Sequence, residues 1–224
     1  MPDGMVDRTD QARTAGMPRR RGAGRPMDPA KRDAILLAAE RIFAEEGYTA
    51  SMDRVAELAG VSKQTIYKHF SAKDRLFDAM VIRRAERMTE PVTMADPARP
   101  VPDVLTALGH RFLELMADGQ FHCLLRVILS AGAGTGLAGH FYQTGPLVSL
   151  ERIAAYLRRQ HDAGRLDVPD PLLAAEQFYG LLNGHVQLRG LLGVQPALTD
   201  DQKAARVAAA VRVFLAAHTP SARM

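Results

Sequence analysis

Apolar residues recur three and four positions apart in several separate stretches of this chain, and no stretch alternates apolar with polar residues over a strand's length. The pattern predicts helices throughout. Ile35, Ala38, Ala39, Ile42 and Phe43 form the first stripe; Asp28-Pro29 offers a cap followed by proline at the first helical position, and Gly47 closes the segment. Met52, Val55, Leu58 and Ala59 form the second stripe, with Ser51 placed to cap it and Asp53 in its first turn. Gly60 supplies a left-handed turn that a residue with a Cβ resists. Val61, Ser62 and Ile66 then have the spacing of a hydrophobic staple, which fixes the entry angle of a third helix, and the small Ala56 lets the two helices cross closely. Ser71-Ala72-Lys73-Asp74 has capping-box spacing and opens a fourth helix whose Leu76, Phe77 and Met80 face inward. After the proline-rich break MADPARPVP at 94–102, helices are predicted near 103–118, 121–131, 137–162, 171–192 and 201–217. The expected fold class is all-α: a three-helix unit containing a helix-turn-helix, joined by a fourth helix to a larger helical domain.

The third helix divides by angle at about 100° per residue. Ile66 and Phe70 share the inward face, so Gln64 and Lys68 point away from it, with Thr65 and Tyr67 on the flanks. Outward glutamine and lysine suit adenine and guanine edges in a major groove, and flanking hydroxyls suit phosphates; His69 is a weaker phosphate candidate. Lys73 sits in a helical first turn, where a cation opposes the dipole unless an anion docks on the same amides, so it is a candidate phosphate clamp. The alternatives are an ordinary amphipathic helix pair and a solvated lysine.

Charge sharpens this picture. Residues 1–27 hold six arginines against three aspartates, net +3 of the chain's +4, and residues 11–27 hold five arginines and no acid. An arm of composition PRRRGAGRP, Arg25 included, is expected to be disordered alone and suited to lie along phosphates or in a minor groove; the alternative is a solubilising tail. Met17 opens the strongly basic part and is a candidate translation start. Residues 28–90 carry 11 basic and 11 acidic residues, so recognition there must come from placement rather than bulk charge. The 224 residues, 47% hydrophobic, suffice for a real core, and the one cysteine, Cys123 in FHCLLRVIL, fits a buried structural thiol in a reducing compartment. With no long apolar run and no signal-like start, a cytoplasmic location is expected.

The last two predicted helices are apolar or small around much of their circumference, including Phe178, Leu181, Leu182, Gly184, Leu188, Val207, Val211, Phe214 and Leu215. A second copy of the chain would cover such helices as a four-helix interface; the alternative is an intrachain core. In the middle helices Phe112, Met116, Phe121, Phe141, Tyr142, Phe178 and Tyr179 offer apolar walls for a small-molecule pocket, with Arg126, His140 and His185 as polar candidates. Gly134-Thr-Gly136-Leu-Ala-Gly139 is a literal GxGxxG after LLRVIL, with Glu151 lying 17 residues beyond its first glycine, but a dinucleotide fold also needs parallel strands that nothing else supplies. The histidines are scattered, His110 and Glu114 share a face without further ligands, and no nucleophile elbow occurs; no catalytic residue, metal or cofactor is expected.

Residues 31–80, through AAERIFAEEGYTASMDRVAELAGVSKQTIYKHFSAKDRLF, resemble the DNA-binding domain of TetR-family transcriptional regulators. FYQTGPLVSLERIAAYLRRQHDAGRL at 141–166 and QFYGLLNGHVQLRGLLG at 177–193 resemble the C-terminal region of the AefR-like branch, although GTGLAG stands where that branch carries a more polar, Arg- and Glu-bearing segment. The resemblance implies that Ser62–His69 is the recognition helix, that Tyr67, His69 and Lys73 contact phosphates, and that Gln64 and Lys68 read sequence. The expected DNA-binding set is Arg25, Ser51, Ser62, Lys63, Gln64, Thr65, Tyr67, Lys68, His69 and Lys73. The expected organisation is a basic arm at 1–27, a helix-turn-helix domain at 28–72, a connecting helix at 73–93, and a ligand-binding and dimerisation domain at 94–224. Together these readings describe a homodimer on double-stranded operator DNA, a repressor released by a small-molecule effector. An activator or co-regulator with the same domains is the alternative, and a nicotinamide-dinucleotide-type enzyme a remote one.

Overall fold

The computed structural model describes residues 29–194 and 198–220, all helix and connecting turn with no strand among them. Helix α1 (Pro29–Glu46) buries Ile35, Ala38, Ala39, Ile42 and Phe43; its expected cap, Asp28, lies outside the described residues. Ser51 caps α2 (Met52–Ala59), its hydroxyl accepting from the Arg54 amide at 3.2 Å, and Gly60 ends that helix at φ 65°. Met52, Val55 and Ala56 are buried, whereas Leu58 is 43% exposed. At 100° per residue Leu58 lies about 110° from the centre of the Met52–Val55–Ala56–Ala59 face, so it falls at the stripe's edge rather than within it. Ser62 caps α3 (Lys63–Phe70) by accepting from the Thr65 amide at 3.1 Å, and Ile66 and Phe70 face inward.

The capping box expected at Ser71–Asp74 does not form. The residue preceding α4 (Lys73–Thr93) is Ala72, with no side-chain cap, and Ser71 is in a positive-φ conformation at 54°. The Asp74 carboxylate instead accepts from the Tyr48 hydroxyl, a tertiary contact that outcompetes the local one. Beyond the loop at 94–100 come α5 (Val101–Ala117) and α6 (Gly119–Ser130), then a single 3₁₀ turn (Ala133–Thr135). The helix predicted over 137–162 is two helices, α7 (Leu137–Thr144) and α8 (Pro146–Asp162), because Pro146 has no amide to continue the ladder and is favoured at a helix start. The helix predicted over 171–192 also breaks, into α9 (Pro171–Asn183) and α10 (Val186–Leu192), at Gly184, whose φ of 46° and ψ of −119° suit only glycine. The last helix, α11 (Asp200–His218), opens with a full capping box of Thr199 and Gln202.

Helix α4 is the spine, packed on α1, α5, α7 and α8, and α5 lies against α9 and α11. The α5 helix comes close to α9 and α11 at Gly109, where a Cβ would meet Val207 Cγ1 at 2.9 Å and Leu182 Cδ2 at 3.2 Å. Val207, Val211 and Phe214 are consequently buried within one chain, Phe214 edge-on to Phe178 at 5.2 Å, and do not form an open face. That corrects the expectation that these three residues await a second copy. Apolar residues left uncovered on these last helices include Leu181, Leu188 and Val213, at 39%, 51% and 49% exposure.

Candidate functional site

The geometry of α2 and α3 follows from their capped starts. Two short helices meet at Gly60; Lys63 Nζ reaches Asp53 Oδ2 at 2.9 Å across the turn, and that hydrogen bond holds the ammonium's pKa above its usual value. Arg54 clips α2 to the end of α1 through Glu46 at 3.1 Å. These ties leave the outward side of α3 to Gln64, Tyr67 and Lys68, which are exposed, and neither Gln64 nor Lys68 has a side-chain partner among the described residues. Thr65 Oγ1 lies 2.8 Å from Ser62 Oγ, so both hydroxyls are engaged in the cap. His69 is half-buried, its Nδ1 without a hydrogen-bond partner. Arg25 lies outside the described residues.

Lys73 occupies the first turn of α4, but its ammonium rests 5.0 Å from the Tyr48 ring centre and 5.9 Å from that of Phe43. Burial pushes its pKa down, only partly opposed by Asp74. Burial, with the hydrogen bond to Asp74, pushes the Tyr48 phenol well above its ordinary value, so Tyr48 remains a donor there. The start of α4 is therefore fixed in place by an aromatic and acidic cluster immediately behind α3.

A cavity of about 250 Å³ lies in the middle of the helical remainder. The stripe Met80, Val81, Arg84, Ala85 and Met88 of α4 forms one wall, and Phe112, Met116, Phe121, Phe141 and Tyr179 line it as well. Tyr179 stacks on Phe112 with ring centres 4.7 Å apart and donates to Met88 Sδ at 2.9 Å; burial pushes its phenol far up. The remaining pocket expectations are displaced. Phe178 is fully buried in the core, Tyr142 faces outward, and His185 is exposed off the lining. Arg126 turns to the carbonyls of Gly190 and Leu191 at 3.2 and 3.3 Å, and to Cys123 Sγ at 3.0 Å, while His140 pairs with Asp78. Cys123 is half-buried.

Sequence reasoning missed the cavity's polar residues Arg84, Ser149, Asn183 and Gln187. The signal for Arg84 was available: it lies four residues from both Met80 and Met88, a charge set into an apolar stripe. The remote dinucleotide alternative for GxGxxG has no strand to stand on, since the preceding LLRVIL segment is helix α6 and the glycines span a 3₁₀ turn and the start of α7. Among the described residues no group of three or more His, Cys, Asp or Glu side chains could hold a metal ion, and no helix is long and apolar enough to cross a membrane.

Comparison with known proteins places this architecture. Residues 35–80 match the bacterial regulatory proteins of the tetR family, and residues 103–220 match the C-terminal domain of AefR-like transcriptional repressors. The chain is 39% identical over 91 residues to the HTH-type transcriptional activator FasR of Mycolicibacterium smegmatis, a match covering 40% of this chain and 41% of that protein. Other curated relatives are likewise matched over only a third to about half of their length. A TetR-family regulator from Mesorhizobium loti superposes with a TM-score of 0.69 at 26% identity, covering 85% of this chain and 98% of that one. The flavonoid-responsive regulator FrrA superposes with a TM-score of 0.65 at 29% identity, covering 87% and 100%. With a helix-turn-helix at one end, a matching helical domain over more than half of its length and neighbours that share the whole fold, the chain belongs to the TetR family of transcriptional regulators.

Proposed function

We propose that the protein is a cytoplasmic homodimeric repressor that reads a near-palindromic operator through α3 and leaves it when a small molecule fills the cavity. The observation that carries this reading is the course of α4. Its first turn is pinned behind α3 by Tyr48 and Asp74, and farther along, from Met80 to Met88, it forms a wall of the cavity. Anything that displaces that wall shifts the helix-turn-helix. In a two-fold dimer such a shift changes the separation of two recognition helices, which must match half-sites about one helical turn of DNA apart. Gln64 and Lys68 read bases; Tyr67, Lys73 and the arginine arm hold phosphates. The flavonoid responsiveness of FrrA supports a small-molecule effector, and the AefR-like repressor match supports repression.

The FasR match favours a second reading, activation through the same domains. Titrating the purified protein onto its own upstream DNA, with and without candidate ligands, tests the first proposal: no specific complex, or no ligand that alters one, refutes it. Deleting the gene separates the readings, since target transcripts rise for a repressor and fall for an activator.

A further inference from the structure

The cavity wall carries one ionised side chain, Arg84, and no carboxylate. Its guanidinium is committed elsewhere only in part. Nη2 lies 3.4 Å from Glu40 Oε2 on α1, Nη1 lies 3.2 Å from Oδ2 of Asp118, the residue that caps α6, and the group sits 5.2 Å over the Phe121 ring. A well-made ammonium- or guanidinium-carboxylate bond is about 2.7–2.9 Å long, so the Glu40 contact is stretched. Nη1 has no aligned acceptor, and Glu40 Oε1, on a residue only 7% exposed, has no hydrogen-bond partner among the described residues. Buried polar groups normally find partners. This junction of α1, α4 and α6 is thus short of partners on both sides, and one of its members, Arg84, also lines a cavity whose other polar lining groups are neutral.

We propose that the cavity takes an apolar molecule bearing one carboxylate, which forms a forked pair with Arg84 at the expense of Glu40. Arg84 is then both the specificity-determining residue for an anionic effector and the joint through which occupancy reaches the helix-turn-helix unit. Guanidinium presents two parallel donors that match a carboxylate, whereas the other polar lining groups are neutral and already bonded, Ser149 to the Gly145 carbonyl and Asn183 to Gln187. At interior density, about 0.74, a space of 250 Å³ holds roughly 185 Å³ of ligand, about ten non-hydrogen atoms, the size of a medium-chain acid. Once Arg84 turns to the ligand, Glu40 is left buried without its cation. It must rehydrate or take a proton, and rehydration favours an arrangement in which α1 has moved from α4. This deepens, and rests on, the ligand-responsive reading above.

The test is a matched series of octanoate, 1-octanol and octylamine titrated calorimetrically into the full chain, with binding to its upstream DNA followed in parallel. Octanoate should bind at least tenfold more tightly than either analogue. Because Arg84→Met alone would strand Glu40, the informative variant is Arg84→Met with Glu40→Gln, which should bind octanoate and octanol alike and keep its octanol affinity. Glu40→Gln alone should bind octanoate more tightly than the parent. Equal binding of octanoate and octanol by the parent, persistence of the preference in the double variant, or no octanoate binding at millimolar concentration each overturns the proposal. The DNA arm keeps the two readings apart: equal binding of octanoate and octanol with release of DNA by both overturns the anionic specificity and leaves ligand response standing. An Arg84-dependent preference with unchanged DNA binding supports the site and refutes effector release.

Discussion

Replacing Gln64 or Lys68 by alanine isolates DNA reading from folding more cleanly than any other change in α3. Both side chains are exposed and partnerless among the described residues, and the inward contacts of the helix belong to Ile66 and Phe70. Truncation should therefore leave stability within about 0.5 kcal/mol of the parent. Each residue, if it makes a good base contact, should instead contribute about 1–3 kcal/mol of discrimination, which is about 5- to 150-fold in affinity. Lys63 is the internal control, because its ammonium is held by Asp53 at 2.9 Å and is less available to a base. Fluorescence anisotropy at fixed salt on the operator and on a shuffled duplex, with a thermal melt of each variant, measures both quantities. Losses of equal size on the two duplexes would refute base reading, and a large drop in melting temperature would refute the assignment of these side chains as free of the fold.

Tyr67→Phe and Lys73→Ala should weaken binding to all sequences similarly, with the Lys73 change lowering the salt slope by about one phosphate contact; sequence-dependent losses would count against this. Leu181→Asp with Val213→Asp should give a folded monomer in light scattering, whereas Phe214→Asp, whose ring lies on Phe178, should unfold the chain; a parent monomer at micromolar concentration refutes the interface. Burial, and secondarily Arg126, lowers the His122 pKa from 6.5, so the unfolded chain binds that proton first as pH falls. Stability linked to His122 is thus full above pH 6.5 and lost below it down to the lowered value, and His122→Leu should show a shallower fall in melting temperature from pH 6.5 to 5. Removing residues 1–16 should leave operator affinity nearly unchanged, while removing 1–26 should weaken it and flatten its salt dependence; an unchanged slope after the longer cut shows that the arginine arm does not touch DNA.

The helix-turn-helix was legible because its signals are local. Ser51, Gly60 and Ser62 each act on amides or turn angles within three residues, so spacing alone predicts their geometry. Where a longer-range partner competes, spacing misleads: Asp74 had the right offset for a capping box and went to Tyr48, 26 residues earlier. Helix breaks at Pro146 and Gly184 were written in the sequence, but a continuous apolar stripe runs across both, so periodicity joined what the backbone separates. Val207, Val211 and Phe214 were correctly read as needing cover; which surface covers them depends on α5 and α9, far away in sequence. The cavity was half legible for the same reason, since a list of aromatic residues does not say which of them meet around a void.

The coupling itself sets a demand that favours charge over bulk. An effector shifts a two-state equilibrium only by its differential affinity for the two states, typically about 1–3 kcal/mol. A ligand of about ten non-hydrogen atoms can gain roughly 3–15 kcal/mol in all, but apolar atoms touching Met80, Phe112 or Phe141 gain nearly the same in any arrangement that keeps the cavity closed, and uniform gain shifts nothing. The term that differs between states is the one involving groups on two elements that must part. Arg84 is that group: it belongs to the wall and, through Glu40, to the first helix of the DNA-reading unit. Breaking a buried ion pair by removing one partner costs about 3–5 kcal/mol, so diverting Arg84 by even part of that amount reaches the scale required. A neutral ligand of the same size leaves the pair intact, and it should occupy the cavity while releasing DNA poorly.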